Sequence, residues 1–274
     1  MISLIHPKIV QSRKLWGFCI RIIWFYIMGV DAMRIALISD IHGNLPAFES
    51  VVADMNQEKM DFLVFLGDLV FFGLYPQECH DLLMSLNPMC CIKGNTDANL
   101  EELPFFNPDD EDGLRLKRFI EYADIRLDEN AKALLAGWPI AQRLELRSRS
   151  LMFCHGSPYS FKDQLEPGNP DFPTLGQRIA GECFDAVFCG HIHQPMQFQL
   201  GSTLVCNPGA VGYSFDGDIR ASYGILSLGE STIFTIRRVD YDIERYRHEV
   251  RTREPAFKDM LLHLLQTGRP FRRS

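Results

Sequence analysis

Five short segments of the sequence carry side chains that can bind a metal ion, most of them beside a glycine. They are Asp40-Ile41-His42, Gly67-Asp68, Gly94-Asn95-Thr96-Asp97, His155-Gly156 and Gly190-His191-Ile192-His193. Carboxylate, amide and imidazole ligands suit manganese, iron or zinc, and this many imidazoles exclude a calcium site. Asp68 could bridge two ions, because a carboxylate can bind one ion with each oxygen. Two ions about 3.5–4 Å apart can share a hydroxide and clamp both oxygens of an in-line displacement at phosphorus.

The elements that would position these side chains follow a regular pattern. Apolar runs predict strands at Ile35–Ser39, Phe62–Leu66 and Met89–Ile92, and helical spacing lies between them at Leu45–Gln57 and Gln77–Leu86. Such a βαβαβ pattern predicts a parallel sheet. Ligands of open α/β sheets bind beyond the carboxyl ends of the strands. Because all five segments follow predicted strands, we expect them to meet at one rim.

The rest of the chain predicts further strands and helices. The more polar stretch near residues 100–137 predicts a helical insertion over one edge of the sheet. Later segments predict a hairpin, a helix, five more strands and a helical tail broken at Pro255: Ala141–Leu146 with Ser150–Cys154, Thr174–Glu182, Ala186–Cys189, Met196–Leu200, Thr203–Cys206, Ser222–Ser227, Ser231–Arg237 and Asp242–Gln266. Without an internal repeat or a low-complexity linker, residues 33–274 are expected to form one domain.

The net charge limits the partners of the protein, and cysteine usage indicates its compartment. The net charge of −7 argues against broad nucleic-acid binding, although bound metals would still attract a small phosphate substrate. Eight cysteines without a C-x-x-C pair indicate a reducing, cytoplasmic setting. The sequence leaves a homo-oligomer open.

The first 32 residues differ from the remainder. Leu15–Val30 is apolar but interrupted by Arg21, and its uninterrupted part is too short to span a bilayer. Three interpretations are an interfacial anchor, a poor signal sequence, and translation from a start upstream of the true one. We favour the last, because Met33 begins directly at a strand pattern; a packed extra helix comes second. Membrane contact is expected only if this extension is part of the native protein.

Taken in order, the motifs D-x-H, G-D-x4-G, G-N-x-D, H-G and G-H-x-H resemble the signature of the calcineurin-like metallophosphoesterases. Asn207–Gly212 and Asp216-Gly217-Asp218 resemble the small bacterial and archaeal phosphodiesterase branch of that superfamily. The resemblance runs from about Met33 to the C-terminal helices. It implies the metallo-dependent phosphatase fold, a mixed α/β architecture with a four-layer α/β/β/α sandwich of two mixed sheets.

The resemblance also implies two divalent metal ions, with manganese expected first and iron, zinc or nickel as alternatives. One ion would be held by Asp40, His42, Asp68 and His193, and the other by Asp68, Asn95, His155 and His191. A metal-bridging hydroxide would attack the phosphorus of a small phosphate ester. The candidate catalytic residues are Asp68, Asn95, Thr96 and Asp97. For Asp97 we expect a role in orienting a ligand, with a helix N-cap as the alternative.

Two departures from the family pattern bear on the substrate. Thr96 stands where many relatives have histidine, and a hydroxyl can donate a hydrogen bond but is a poor acid, so diesters or activated esters are favoured over monoesters of alcohols. Tyr213-Ser214-Phe215 stands where relatives often carry arginine, and Arg220 or Lys93 could replace that phosphate contact.

Several alternatives stay open at this stage. Asp216 and Asp218 could bind a third cation, although a turn is favoured, and Phe71-Phe72 could stack a nucleobase or fill the core. For the function as a whole, a phosphodiesterase is expected. One alternative is a catalytically weak metal-binding scaffold, and the other is a protein or dinucleoside-polyphosphate phosphatase.

Overall fold

The computed structural model describes residues 32–71, 73–253 and 255–271. The strands in these ranges are β1 (Met33–Ile38), β2 (Phe62–Phe65), β3 (Cys90–Cys91), β4 (Ala141–Leu146), β5 (Arg149–Cys154), β6 (Ala186–Phe188), β7 (Pro195–Leu200), β8 (Thr203–Pro208), β9 (Ala221–Leu228) and β10 (Thr232–Val239). The helices are α1 (Leu45–Gln57), α2 (Pro76–Ser85), α3 (Asn95–Glu102), α4 (Glu111–Asp124), α5 (Glu129–Ala136), α6 (Phe172–Gly181), α7 (Ile243–Arg253) and α8 (Lys258–Thr267), with a 3₁₀ turn at Leu103–Phe105. The expectations for the N-terminal extension fall on residues 1–31, which like Phe72 lie outside these ranges. No helix in the described part of the chain combines the length and apolar character needed to cross a membrane.

The strands form two five-stranded mixed sheets. The first has the order β10-β9-β1-β2-β3, and the second has the order β4-β5-β6-β8-β7. In the first sheet β1, β2 and β3 run parallel, as the βαβαβ pattern predicted, while β9 and β10 are antiparallel. In the second sheet β5, β6 and β8 are parallel and flanked by antiparallel β4 and β7.

The alternation of side chains along β1 explains the layered packing. Ile35 and Leu37 point into a core shared with the second sheet, whereas Ala36 and Ile38 belong to the core beneath the helices. Strand β5 repeats this arrangement with Leu151 facing the inter-sheet core. Both strands are buried on both faces, which is why they appear in the sequence as continuous apolar runs. The result is a four-layer α/β/β/α sandwich, with α6 on the outer face of the second sheet.

The apolar patterns of the sequence did not predict helix α3; only the N-cap alternative for Asp97 implied a helix here, beginning after Asp97. Its eight residues carry no apolar period; Ala98 is buried, and Leu100 packs against the core beneath the helices. Gly94 is the N-cap, and Asp97 is the third residue of the helix, with its side chain accepting the N–H of Gly94 at 3.0 Å. The N-cap alternative for Asp97 is therefore wrong, because the helix begins two residues before it.

An ion pair on α1 ties this helix to the edge of the first sheet and supports a stability prediction. Asp54 accepts hydrogen bonds from Tyr223 Oη at 2.6 Å and from Arg237 Nη2 at 2.7 Å. Burial opposes ionisation of Asp54, but Arg237 and Tyr223 outweigh it and lower the pKa of this carboxyl. Since Arg237 is partly exposed, Asp54→Asn should lower the free energy of unfolding at pH 7 by only about 1 kcal/mol.

The sign of the pH dependence follows from the lowered pKa. The contribution of Asp54 is present above the unfolded-state pKa of about 3.9 and is lost as pH falls through the lower folded-state pKa. The difference between wild type and Asp54→Asn should therefore shrink below about pH 4, measured by urea unfolding. Glu49→Gln makes the same charge change at an exposed position of α1. If both variants lose the same stability, Asp54 has no special role.

Candidate metal centre

The seven side chains predicted as metal ligands come together where strands of both sheets end. Asp40 and His42 follow β1, Asp68 follows β2, Asn95 begins α3 after β3, and the three remaining histidines follow β5 and β6. Six of the residues form two clusters, within each of which the ligand atoms lie within 4.8 Å of one another: Asp40, His42 and His193, and Asp68, His155 and His191. Asn95 lies beside the second cluster, with its Oδ1 3.1 Å from Nε2 of His155.

Backbone carbonyls fix the orientation of three of the histidine rings. A carbonyl oxygen only accepts hydrogen bonds, so the ring nitrogen that faces it must carry the proton. In each ring Nδ1 makes this bond, and Nε2 is left to face the interior, where its lone pair can bind a metal. The pairs are His42 with Val70 O at 2.9 Å, His155 with Leu66 O at 2.8 Å, and His193 with Tyr213 O at 2.5 Å.

Asp68 lies between the two clusters and faces both with one oxygen. Its Oδ2 is 3.6 Å from Nε2 of His42 and 3.3 Å from Nε2 of His155. Its Oδ1 instead accepts the backbone N–H of Thr96 at 2.9 Å, at the N-terminus of α3. Oδ1 therefore already has a backbone donor, whereas Oδ2 faces histidines of both clusters and would be the oxygen available to both ions.

The chemistry of this donor set fits divalent cations. Nε2 of His42 lies 3.1 Å from Nε2 of His193. Oδ1 of Asp40 lies 3.2 Å from the same Nε2 of His193. That oxygen is buried and makes no hydrogen bond within the described residues. A buried carboxylate oxygen without a donor is costly, and imidazole lone pairs that converge on it repel one another. A cation bound among them would satisfy all three atoms at once.

Most of these ligands adopt a backbone conformation that is unfavourable for L-residues. Asp40, His42, Asp68, His191 and His193 all have positive φ, between 48° and 71°. Each such residue costs about 1–2 kcal/mol and persists only where its surroundings enforce it. Backbone hydrogen bonds between segments do so here, including Asp40 N to Gly67 O at 2.9 Å and Gly212 N to Asp40 O at 2.9 Å. The strained turns aim side chains of successive loops at one point.

Asp97 holds the turn that carries Asp68. Its two carboxylate oxygens accept the N–H groups of Asp68 at 2.9 Å, Leu69 at 2.9 Å, Val70 at 3.4 Å and Gly94 at 3.0 Å. Gly94 is required by close approach, because a Cβ there would lie 2.0 Å from Oδ1 of Asp68. Asp97 thus contacts the backbone of a candidate ligand and none of the metal-facing atoms, as expected for an orienting residue.

Thr96 does not direct its hydroxyl at the substrate side. The hydroxyl donates to Val70 O at 3.0 Å, the same carbonyl that accepts Nδ1–H of His42. The hydroxyl proton of Thr96 is therefore used within the turn. Thr96 instead supports the ring of His42 and, through its backbone N–H, the carboxylate of Asp68.

Burial and mutual charge set the protonation of the site. Burial lowers the pKa of His42 to about 4 against the attraction of Asp68, so this imidazole is neutral and able to bind a metal. Burial also disfavours the charged form of His155, but the carboxylate of Asp68 outweighs it and raises the pKa of His155 to about 9. Burial and the charge of Asp68 raise the pKa of Asp97 to about 7, while backbone N–H groups oppose this shift.

These protonation states predict that metal binding releases protons. Below its pKa of about 9, His155 carries a proton on the metal-facing side that a cation must displace. The apparent affinity for Mn²⁺ should therefore rise about tenfold per pH unit for each displaced proton between about pH 6.5 and 8.5. Calorimetric titration in buffers of different ionisation enthalpy measures both the affinity and the proton count. A flat affinity over this range would show that no proton is displaced from His155 and would contradict its raised pKa.

The proposed substitutes for the missing arginine do not reach the centre. Arg220 pairs with Asp218 at 2.7 Å, and Lys93 bonds to Glu101 at 2.7 Å and to Ala136 O at 2.6 Å. Both are structural, because local partners hold their charges. Asp216 and Asp218 are paired with arginines around the positive-φ turn at Gly217, so the turn interpretation is supported over a third cation site.

A cavity of about 360 Å³ opens beside the second cluster. Its lining includes two candidate ligands, a buried aromatic residue of the Phe71-Phe72 pair, and charged residues of α4 and of the loop after β5: Phe71, Asn95, Thr96, Asn99, Asp112, Arg115, Leu116, Phe119, Lys162 and His191. Arg115 and Lys162 were not singled out from the sequence. No local motif marks them, and only the tertiary fold brings them to the centre.

A four-layer sandwich with two histidine–aspartate clusters at its strand ends defines the class of metallo-dependent phosphatases. The chain matches the family described as the calcineurin-like phosphoesterase superfamily domain over residues 33–231. An uncharacterised protein of Methanocaldococcus jannaschii is 31% identical over 250 residues, which cover 81% of this chain and 94% of that protein. Phosphodiesterase YfcE of Escherichia coli K12 is 26% identical over 203 residues, covering 71% and 87%. A metallophosphoesterase structure from Sphaerobacter thermophilus shares 26% identity at a TM-score of 0.71, covering 86% of this chain and 99% of that one.

The chain belongs to the calcineurin-like phosphoesterase superfamily. This membership confirms the predicted family, the predicted two-sheet sandwich and the predicted class of enzyme, a metal-dependent phosphoric ester hydrolase.

Proposed function

We propose that this chain is a manganese-dependent phosphodiesterase that hydrolyses a small phosphate diester at the two clusters. The observation that carries the proposal is the convergence of ring Nε2 atoms on a single oxygen of Asp68, 3.6 Å from His42 and 3.3 Å from His155. Oxygen and imidazole ligands suit manganese, with iron, zinc and nickel as alternatives. The 26% identity to Phosphodiesterase YfcE adds support for the diester.

In this proposal each side chain has a defined task. One ion would be held by Asp40, His42, Asp68 and His193, and the other by Asp68, Asn95, His155 and His191. When bound, the ions would lower the pKa of a water so that it can attack phosphorus as hydroxide. They would also place positive charge opposite the phosphoryl oxygens. Asn95 turns its Oδ1 toward His155, which leaves its NH₂ group to donate to a phosphoryl oxygen. Of the seven ligands, Asn95 and His191 line the cavity, so substrate enters from their side.

The environment of Thr96 favours esters with good leaving groups. The Thr96 hydroxyl donates its proton to Val70 O. Among the described residues, the histidines outside the candidate ligand set are His80, His248 and His263, on helices α2, α7 and α8. Without a general acid, poor leaving groups lose about 10²–10⁴ in rate. Activated diesters should therefore be the best substrates in vitro.

The test is a substrate panel with the manganese-reloaded protein. We expect hydrolysis of bis-p-nitrophenyl phosphate, slower hydrolysis of p-nitrophenyl phosphate, and rates for aryl methyl diesters that fall steeply as the leaving-group pKa rises. A dinucleoside polyphosphate and a phosphopeptide test the alternative phosphatases. No turnover with manganese, iron, zinc or nickel would sink the proposal. Full metal content without turnover, together with a tight protein partner, would select the scaffold.

We also propose a cytoplasmic location, which rests on the cysteines. Cys154 and Cys189 are free thiols and are buried. Burial raises the pKa of Cys189 to about 12, so this thiol stays protonated and inert. Buried free thiols without disulfides are typical of proteins in a reducing compartment.

A further inference from the structure

The cavity beside the metal centre has a wall that ester hydrolysis at phosphorus does not itself require. His191 and Asn95 form the metal side, and the opposite side is built from α4 and from the loop that follows β5. Substrate bound with its phosphorus at the clusters must therefore place one ester group in this cavity. Its volume of about 360 Å³ lies within the range of pockets that take small ligands.

One part of the cavity wall is apolar. Leu116 and Phe119 lie on successive turns of α4, and Phe71 joins them from the turn after Asp68. Phe71 has φ 76°, an unfavourable conformation for a bulky residue. Strain of this kind is commonly kept at ligand sites, where the surroundings enforce it. An apolar or flat ring in the cavity would bury surface against this wall.

The other part of the wall carries two cations that are poorly neutralised. Arg115 pairs with Asp112 at 2.9 Å, but the Asp112 side chain is 81% exposed, so water screens the pair. Lys162 forms no ion pair among residues 32–71, 73–253 and 255–271 and lies on the exposed loop after β5. In a chain of net charge −7, two cations facing one small cavity indicate a site for an anion.

We infer that this cavity is a subsite for a nucleotide-like ester group, whose ring packs against Leu116 and Phe119 and whose second anionic group binds Arg115 and Lys162. The inference deepens the proposed phosphodiesterase function and rests on it for the position of the first phosphate. Arg115 suits such an anion because its guanidinium can donate two parallel hydrogen bonds to phosphate oxygens.

The test is equilibrium binding to the full-length metal-loaded protein by calorimetry. The probes are adenosine 3′,5′-bisphosphate, adenosine 5′-monophosphate and inorganic phosphate, with chromatography to check that each probe stays intact. Wild type should bind the bisphosphate about tenfold tighter than the monophosphate. Arg115→Glu and Lys162→Glu should each remove that preference, and Arg115→Lys should retain part of it. Asp112→Asn should strengthen bisphosphate binding severalfold, because it removes the competing carboxylate of Asp112 from the lining of the cavity.

Arg118→Glu is the matched control, since it makes the same charge reversal at an exposed position on α4 outside the cavity. It should bind the bisphosphate within about twofold of wild type. Equal losses in Arg115→Glu and Arg118→Glu, or no gain in Asp112→Asn, would overturn the inference. So would bisphosphate that binds no tighter than inorganic phosphate. If binding depends on Arg115 while no ester is turned over, the subsite stands and the phosphodiesterase proposal fails.

Discussion

Replacing Asp68 by asparagine is expected to reduce the hydrolysis of bis-p-nitrophenyl phosphate by about 10³-fold or more. Oδ1 of Asp68 accepts the backbone N–H of Thr96, and Oδ2 faces both clusters. The single oxygen of an asparagine would keep the bond to Thr96 and turn its NH₂ group toward the site. Two N–H bonds would then point at the cations, and the shared negative charge would be lost.

Metal content separates this effect from misfolding. The variant should retain at most about one of two ions per chain after dialysis against excess Mn²⁺, measured by plasma mass spectrometry. Asp81→Asn is the control, because it removes a carboxylate that is 64% exposed on α2 and is not one of the predicted ligands. It should keep the activity and metal content of wild type. Full metal content with more than a tenth of the activity in Asp68→Asn would move the chemistry away from Asp68.

The convergence of the ligands could be predicted because it depends on strand direction. β1, β2 and β3 are parallel, so Asp40, Asp68 and Asn95 leave the same edge of the first sheet. The strand pattern predicted one rim for all five segments, but His155 and His191 follow β5 and β6 of the second sheet. Hydrogen bonds across the gap, such as His155 Nδ1 to Leu66 O, join the two rims into one site. The sequence pattern alone gave a parallel sheet; the two-sheet sandwich was implied by the family resemblance.

What could not be predicted depends on contacts between distant segments. Helix α3 lacks an apolar period because its first turn holds the carboxylate of Asp68 through the backbone N–H of Thr96 instead of packing on the core. The direction of the Thr96 hydroxyl depends on where the turn after β2 places Val70 O. Arg115 and Lys162 come from segments whose sequences carry no motif, and their common position follows only from how α4 packs. In these cases the local sequence is compatible with several outcomes.

Replacing Asp97 by alanine is expected to have the second largest effect, and this effect should appear in stability as well as in activity. The carboxylate is buried and accepts N–H groups from Asp68, Leu69, Val70 and Gly94. Its removal leaves these donors without partners in a dry site, which should lower the free energy of unfolding by about 3–5 kcal/mol. Because the turn carries Asp68, metal affinity should fall about 10- to 100-fold.

A positioning role can be told apart from a purely structural one. Urea unfolding in excess EDTA measures the stability loss without metal, and Mn²⁺ titration of the folded fraction measures the affinity. Asp97→Asn keeps the shape and one acceptor oxygen, but its NH₂ group must face two backbone N–H groups, so about the same affinity loss is expected with better folding. A variant that unfolds early yet binds Mn²⁺ as tightly as wild type would limit Asp97 to stabilising the turn. If stability and affinity fall together, the backbone bonds of Asp97 are what hold Asp68 in its strained conformation between the two clusters.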